Sequence, residues 1–110
     1  MMTEITLGAV ALMVLTGEAQ AQIDGNQLYA VCTSNSYSDQ GVCSGYVEAA
    51  AEYLEWVRSG EKKPPCLSDG TVVRQVKDVV VNYLRDHPTE RSYTGTSLVV
   101  RAITLAWKCQ

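Results

Sequence analysis

The stretch from Val72 to Pro88 constrains the fold more than any other part of the sequence. Its apolar residues recur at steps of one, three and four, the spacing that places side chains on one face of an α-helix. They are Val72, Val73, Val76, Val79, Val80, Tyr83 and Leu84. Consecutive valines also favour a strand, but a stripe this long and regular predicts a helix. Pro88 ends the helix, which needs a packing partner because valine has low helix propensity.

A second helix is predicted over residues 42–58. Its apolar stripe comprises Val42, Tyr46, Ala49, Ala50, Tyr53, Leu54 and Val57, and its solvent face comprises Glu48, Glu52 and Glu55. Small side chains, such as that of Gly45, would let a neighbouring helix pack closely against it. Tyr46 and Tyr53 are therefore expected in the core. Trp56 and Tyr37 fall outside the stripes, so both are expected at the surface.

Shorter helices on either side complete the pattern. Residues 22–32 form a first helix that Asp24 or Asn26 caps, and the polar residues 33–41 form a loop. The last helix spans about residues 93–107, and its stripe comprises Leu98, Val99, Ala102, Ile103, Leu105 and Ala106. These segments predict an all-α fold, a small disulfide-bonded bundle of about four helices that are mostly antiparallel.

Residues 1–21 are predicted to be a signal peptide. Residues 5–15 are apolar, and Ala19-Gln20-Ala21 matches a cleavage site with small residues at both flanking positions. The run is too short to span a bilayer comfortably. It lacks a preceding Lys or Arg, and the alternative is a buried N-terminal helix of the mature protein. We expect a mature single domain of residues 22–110, which an intact-mass measurement of exported protein would test.

Four cysteines fit an exported chain, because disulfides persist in oxidising compartments and an even number can pair completely. No C-x-x-C pair occurs, so the spacing disfavours a metal site. If the helices alternate in direction, Cys66 and Cys109 meet at one end of the bundle, and Cys32 and Cys43 pair at the other. We expect Cys109→Ser to destabilise the fold more than Cys32→Ser, because it opens the longer loop.

The sequence carries no motif of an enzyme or of a cofactor site. Its formal net charge is −3, and its basic residues are scattered, which argues against nucleic-acid binding. His87 follows Asp86 and could act as an acid or base, but a histidine at a helix end is also well placed beside terminal carbonyls. We favour the helix-end interpretation. The residues therefore predict a non-enzymatic binding protein without a cofactor or metal and without stable membrane insertion after cleavage.

The connection of residues 59–70 holds the predicted partner-contact surface. Ser68, Asp69 or Thr71 would cap the helix that follows it. The loop Ser59–Pro65 is stiffened by two prolines, and connections usually carry function. The predicted contact residues are Trp56, Glu61, Lys62 and Lys63, with Arg74, Lys77 and Asp78 on the next helix extending the same surface. The alternative is an ordinary solvated loop.

Five short segments of the chain carry a family resemblance: Cys43-Ser44-Gly45-Tyr46-Val47, Pro65-Cys66, Tyr83-Leu84-Arg85-Asp86-His87-Pro88, Leu98-Val99-Val100-Arg101-Ala102 and Ala106-Trp107-Lys108-Cys109. Together they resemble the Rap/Tai family of type VI secretion immunity proteins. No segment is specific alone, but their order and spacing are moderately specific. The resemblance covers about residues 28–110, almost the whole expected mature chain.

The resemblance implies an exported, all-helical, disulfide-bonded domain that is often dimeric. Such a protein would act in the periplasm, where it would bind and block a peptidoglycan amidase injected by another cell. A second class of function fits the same composition, namely a small periplasmic chaperone that exposes apolar surface when its carboxylates are protonated. Light scattering of an unfolding client protein at low pH would distinguish the two functions.

Overall fold

A computed structural model describes residues 22–109. The helices are α1 (Gly25–Thr33), α2 (Tyr37–Gly60), α3 (Val73–Asp86) and α4 (Gly95–Trp107), and a short 3₁₀ helix (Pro88–Glu90) joins the last two. The predicted all-α bundle of about four helices is confirmed. The predicted signal peptide, residues 1–21, lies outside the described residues.

Two disulfides and a side-chain hydrogen bond join the ends of the helices. The Cys32–Cys43 disulfide joins the end of α1 to the start of α2, with the Cα atoms 5.0 Å apart. Ser68, just before α3, accepts a hydrogen bond from Trp107 Nε1 at the end of α4 (3.3 Å). The Cys66–Cys109 disulfide closes that same end, with the Cα atoms 5.4 Å apart. Both predicted disulfide pairs are therefore confirmed.

The polar segment predicted as a loop over residues 33–41 is shorter than expected, because α2 begins at Tyr37. Ser36 Oγ caps this helix by accepting a hydrogen bond from the Asp39 N–H (3.3 Å). Gln40 Nε2 donates to the carbonyls of Ser34 (2.6 Å) and Cys32 (3.2 Å) at the end of α1. Polar side chains here satisfy two helix ends, so composition alone overestimated the loop.

The buried face of α2 differs from the predicted stripe by about one residue. Its buried residues are Cys43, Val47, Ala50, Ala51, Leu54 and Arg58, whereas Val42 and Ala49 are exposed and Tyr53 is 52% exposed. The prediction of Tyr53 as a core residue is therefore wrong. Cys43 faces α1, to which its disulfide joins it, and Val47 and Ala51 follow Cys43 at helical spacing in the core. In α4 the predicted stripe is too wide, because Leu105 and Ala106 are exposed.

The stripe on α3 packs as predicted over most of its length. Val76, Val80, Tyr83 and Leu84 are buried, and Val73 and Val79 are half-buried. Val72 is 59% exposed and occupies the N-cap position, where its side chain makes no capping hydrogen bond. The predicted cap by Ser68, Asp69 or Thr71 is wrong. Thr71 Oγ1 instead donates to the Ser68 carbonyl (2.7 Å). Its hydroxyl therefore stabilises the preceding turn and does not cap α3.

We expect Val72→Ser to raise the free energy of unfolding by about 1 kcal/mol. The backbone of Val72 already has the extended conformation of an N-cap (φ −107°, ψ 157°), so a hydroxyl there can accept from the first turn without rearrangement. Urea unfolding of the wild type, Val72→Ser and Val72→Ala measures the effect. Val72→Ala supplies no acceptor, and an equal gain for Val72→Ala would show that capping is not the cause.

The start of α1 docks on the turn that precedes α4. Gly25 N–H donates to the Tyr93 carbonyl and Asn26 N–H to the Arg91 carbonyl, both at 2.9 Å. Arg91 in turn donates from Nε to the Leu84 carbonyl at the end of α3 (2.7 Å), and its guanidinium lies 4.1 Å from the centre of the Tyr29 ring. One turn therefore fastens three helices together.

Candidate functional site

The loop Ser59–Pro65 leaves α2 in a defined conformation. Lys63 N–H donates to the Arg58 carbonyl (2.8 Å), and Lys62 N–H donates to the Ser59 carbonyl (3.0 Å). These are the two hydrogen bonds of a Schellman motif, in which glycine usually takes the left-handed position. Lys62 occupies that position here, with φ 59°. A left-handed residue with a side chain costs about 1–2 kcal/mol relative to the right-handed conformation.

A buried arginine at the end of α2 anchors the backbone near the C-terminal end of this loop. Arg58 is 6% exposed, and its Nε donates to the Pro64 carbonyl (2.9 Å). At the surface, Lys63 Nζ lies 3.3 Å from Glu61 Oε1, an exposed ion pair of small energetic value. The side chains of the loop therefore face solvent, while the buried arginine holds the loop backbone.

Glu55 fixes the segment that follows the loop. Its two carboxylate oxygens accept hydrogen bonds from the Cys66 N–H (2.8 Å) and the Leu67 N–H (3.1 Å). The sequence placed Glu55 on a solvated face, and its anchoring role was missed. Arg58 was missed as well, because a charged residue at the end of a helix gives no indication that it is buried.

An exposed aromatic pair precedes the loop on α2. Trp56 is 73% exposed, as predicted, and its ring centre lies 6.3 Å from that of Tyr53. Tyr37, also predicted at the surface, is almost fully exposed near the start of α2. Aromatic side chains of this kind serve as anchors in protein interfaces. The structure therefore places one aromatic pair within a turn of the charged loop.

The three residues predicted to extend this surface onto α3 differ in their surroundings. Arg74 and Asp78 are exposed, but the Lys77 Nζ donates to Gln40 Oε1 near the start of α2. Gln40 precedes Ser59 by enough helix to separate them by about 28 Å at 1.5 Å per residue. Trp56 lies in the last turns of α2 and the charged residues 61–63 directly follow the helix, whereas the Lys77 ammonium lies near the start of α2.

His87 lies at the end of α3, where the helix-end interpretation placed it. Its ring stacks on the Tyr83 ring with centres 4.0 Å apart, and Nδ1 lies 2.8 Å from the Tyr83 carbonyl oxygen. Asp86 pairs with Arg85 (3.3 Å). The Tyr83 hydroxyl donates to Glu90 Oε1 (2.6 Å) and accepts from Arg101 Nε (2.8 Å). This cluster ties α3 to α4.

Burial raises the pKa of the Tyr83 phenol above its ordinary value, and the hydrogen bond to Glu90 acts in the same direction against the opposing effect of Arg101. Because the folded state holds this proton more tightly than the unfolded state, the associated stability is present below about pH 10 and is lost as the pH rises through the folded pKa. We expect Tyr83→Phe to flatten the alkaline fall in unfolding free energy. Tyr37→Phe is the control, and an equal flattening there would contradict the assignment.

Within residues 22–109, no group of three or more His, Cys, Asp or Glu side chains is arranged to hold a metal ion. None of the described helices combines the length and the apolar character needed to cross a membrane. Both statements apply to the described part of the chain.

The fold and the site together define a small helical domain with two disulfides and a rigid, exposed, charged loop beside aromatic side chains. The family model of the Rap1a immunity proteins matches residues 24–109. The chain belongs to this family, and the resemblance noted in the sequence is confirmed. Membership implies an immunity protein that binds a protein effector. No curated protein and no solved structure matches the sequence.

Proposed function

We propose that this protein is a periplasmic immunity protein that binds and inhibits a type VI secretion effector, a peptidoglycan amidase. The family supports binding of a protein effector, and two disulfides fit an exported protein. In this proposal the protein acts by occlusion and catalyses no reaction. The loop Ser59–Pro65, with Trp56, enters or covers the active-site cleft of the effector.

The observation that carries the proposed site is the conformation of Lys62. A lysine occupies a left-handed position where glycine would be more stable, so the chain retains a strained backbone in exchange for a charged side chain at the tip of the loop. Backbone strain of this kind persists where the surrounding structure enforces it and is concentrated at functional sites. Arg58, the Glu55 carboxylate and the Cys66 disulfide supply that enforcement, and a rigid loop loses little entropy on docking.

Lys62→Gly separates function from folding. It should raise the melting temperature, because glycine tolerates φ 59°, and it should lower affinity for the amidase at least tenfold, because the charge is lost. Lys108→Gly is the matched control, since Lys108 also has a left-handed backbone (φ 55°) but lies at the end of α4. Isothermal titration against the proposed effector, a peptidoglycan amidase, measures the affinity of both variants, and thermal unfolding measures their stability.

Replacing Glu61, Lys62 and Lys63 together with alanine tests the whole charged tip. We expect at least a tenfold loss of affinity with little change in thermal stability, because these side chains are exposed. Arg74→Ala with Asp78→Ala is the comparison for the neighbouring helix. Unchanged affinity for the loop variant, with folding intact, would remove the loop as the inhibitory element, and a loss confined to the α3 variant would move the site there.

A homodimer is part of the proposal, supported by the family resemblance and by the exposed Tyr53 ring. Multi-angle light scattering of the oxidised protein would test it, with Tyr53→Ala as the comparison. The chaperone function makes a different prediction. If this protein suppresses aggregation of an unfolding client at pH 3 and fails to inhibit the amidase at neutral pH, the immunity proposal is wrong.

A further inference from the structure

An apolar groove lies between α2 and the start of α3, separate from the residues of the loop Ser59–Pro65. Its volume is 290 Å³, close to the lower end of the range for ligand pockets. Buried side chains of Val47, Ala51 and Val76 form its floor, and the exposed side chain of Val72 forms part of its wall. A groove of this size accepts one or two large apolar side chains.

Two carboxylates stand on the α2 edge of this groove. Glu48 and Glu52 are one helical turn apart, both line the groove, and both are exposed. Neither makes a hydrogen bond or an ion pair with another residue of the described chain. Glu55, the third carboxylate on this edge, is already occupied by the Cys66 and Leu67 N–H groups. The groove therefore combines an apolar floor with uncompensated negative charge.

Val72, which forms part of the groove wall, does not fit the usual residue preference at a helix N-cap. Ser, Thr, Asp and Asn are the stabilising residues at an N-cap, yet this helix begins with an exposed valine that makes no capping hydrogen bond. An apolar side chain that reduces the stability of its own helix, and that also extends an apolar groove, is better explained by contact with a partner than by folding. Departures from local preference are expected at functional sites.

We propose that this groove binds a segment of a protein partner that carries one or two aliphatic side chains flanked by lysine or arginine. The aliphatic groups occupy the floor between Val47 and Val76, and the cationic groups pair with Glu48 and Glu52. The inference goes beyond the proposed inhibition, because it requires neither an amidase nor the loop Ser59–Pro65. The two proposals can therefore fail separately.

The direct test uses synthetic peptides and the full oxidised domain. The probe is the acetylated, amidated peptide KLALK, and the comparison peptides are ELALE, which reverses the charge, and KSASK, which removes the apolar groups. Amide chemical shifts of ¹⁵N-labelled protein are followed during titration to several millimolar. We expect saturable shifts with KLALK, concentrated at Ala51, Leu67 and Val72–Val76, and at least fivefold weaker binding of both comparison peptides.

Protein variants then identify the residues that recognise the peptide. Glu48→Gln with Glu52→Gln should weaken KLALK binding at least threefold, whereas Asp39→Asn with Asp86→Asn removes the same charge away from the groove and should leave it unchanged. Val72→Ser should weaken binding although it stabilises the fold, so loss of folding cannot explain that result. The proposal is overturned if KLALK gives no shifts, if ELALE binds equally well, if the shifts lie outside the groove, or if both double variants behave alike.

Discussion

A variant that retains only the Cys66–Cys109 disulfide should lose about 4 kcal/mol of unfolding free energy on reduction, against about 3 kcal/mol for a variant that retains only Cys32–Cys43. The two disulfides span 43 and 11 residues of chain. In the chain-entropy model, closing the longer loop removes more conformations from the unfolded state. A domain this small buries a limited fraction of its surface, so either loss is a large share of its total stability.

Each variant is compared with its own reduced form, so that packing changes caused by the substitutions do not affect the measured difference. Cys32→Ala with Cys43→Ala retains the long loop, and Cys66→Ala with Cys109→Ala retains the short one. Reduction leaves two thiols of nearly unchanged volume, which matters because Cys43 is fully buried. Denaturant unfolding with and without dithiothreitol gives the two differences. A larger loss for Cys32–Cys43 would show that native-state packing, and not loop closure, governs the contribution of these bonds.

The helical pattern of the sequence was sufficient for the number and order of the helices. The stripe from Val73 to Leu84 packs as its spacing indicates, and the assumption that the helices alternate in direction led to the correct disulfide pairs. These predictions succeeded because they depend on periodicity over many residues. Errors in a single residue do not change the result.

The orientation of α2 could not be predicted in the same way. This helix contacts α1, α3 and α4, so apolar residues are distributed around more than one face. Periodicity alone then cannot decide whether Tyr53 or Ala51 points inward, and the answer depends on where the disulfide at Cys43 turns the helix. The result is an aromatic pair, Tyr53 and Trp56, left exposed on the outer face.

The chemistry of the candidate sites was partly visible in the sequence. The charged tip of the loop Ser59–Pro65 could be recognised from composition, whereas its supports could not. Arg58 and Glu55 act through backbone groups of Pro64 and Cys66, and backbone partners have no sequence pattern. The left-handed Lys62 and the uncapped Val72 became apparent only from the backbone. They lie at the two ends of the connection between α2 and α3.

Gly25→Ala should destabilise the protein by about 3 kcal/mol, the upper part of the usual range for overpacking. A Cβ atom there would lie 2.7 Å from the Arg91 Cα and 2.8 Å from the Arg91 carbonyl oxygen, and it would also contact Leu98 Cδ1. Two of these atoms belong to the backbone of the turn that fastens α1, α3 and α4 together. Relief of the clash requires α1 to move away from that turn and weakens the hydrogen bonds of Gly25 and Asn26.

Gly45→Ala is the matched control, and it should have the opposite sign. Gly45 lies within α2, it is exposed, and a Cβ atom added there meets nothing within 4 Å. This finding also corrects the expectation that Gly45 allows a neighbouring helix to pack closely. Alanine should therefore stabilise α2 by about 0.5–1 kcal/mol through its helix propensity. Thermal and urea unfolding of both variants measures the difference, and a small effect at Gly25 would mean that α1 is not tightly docked on the Arg91 turn.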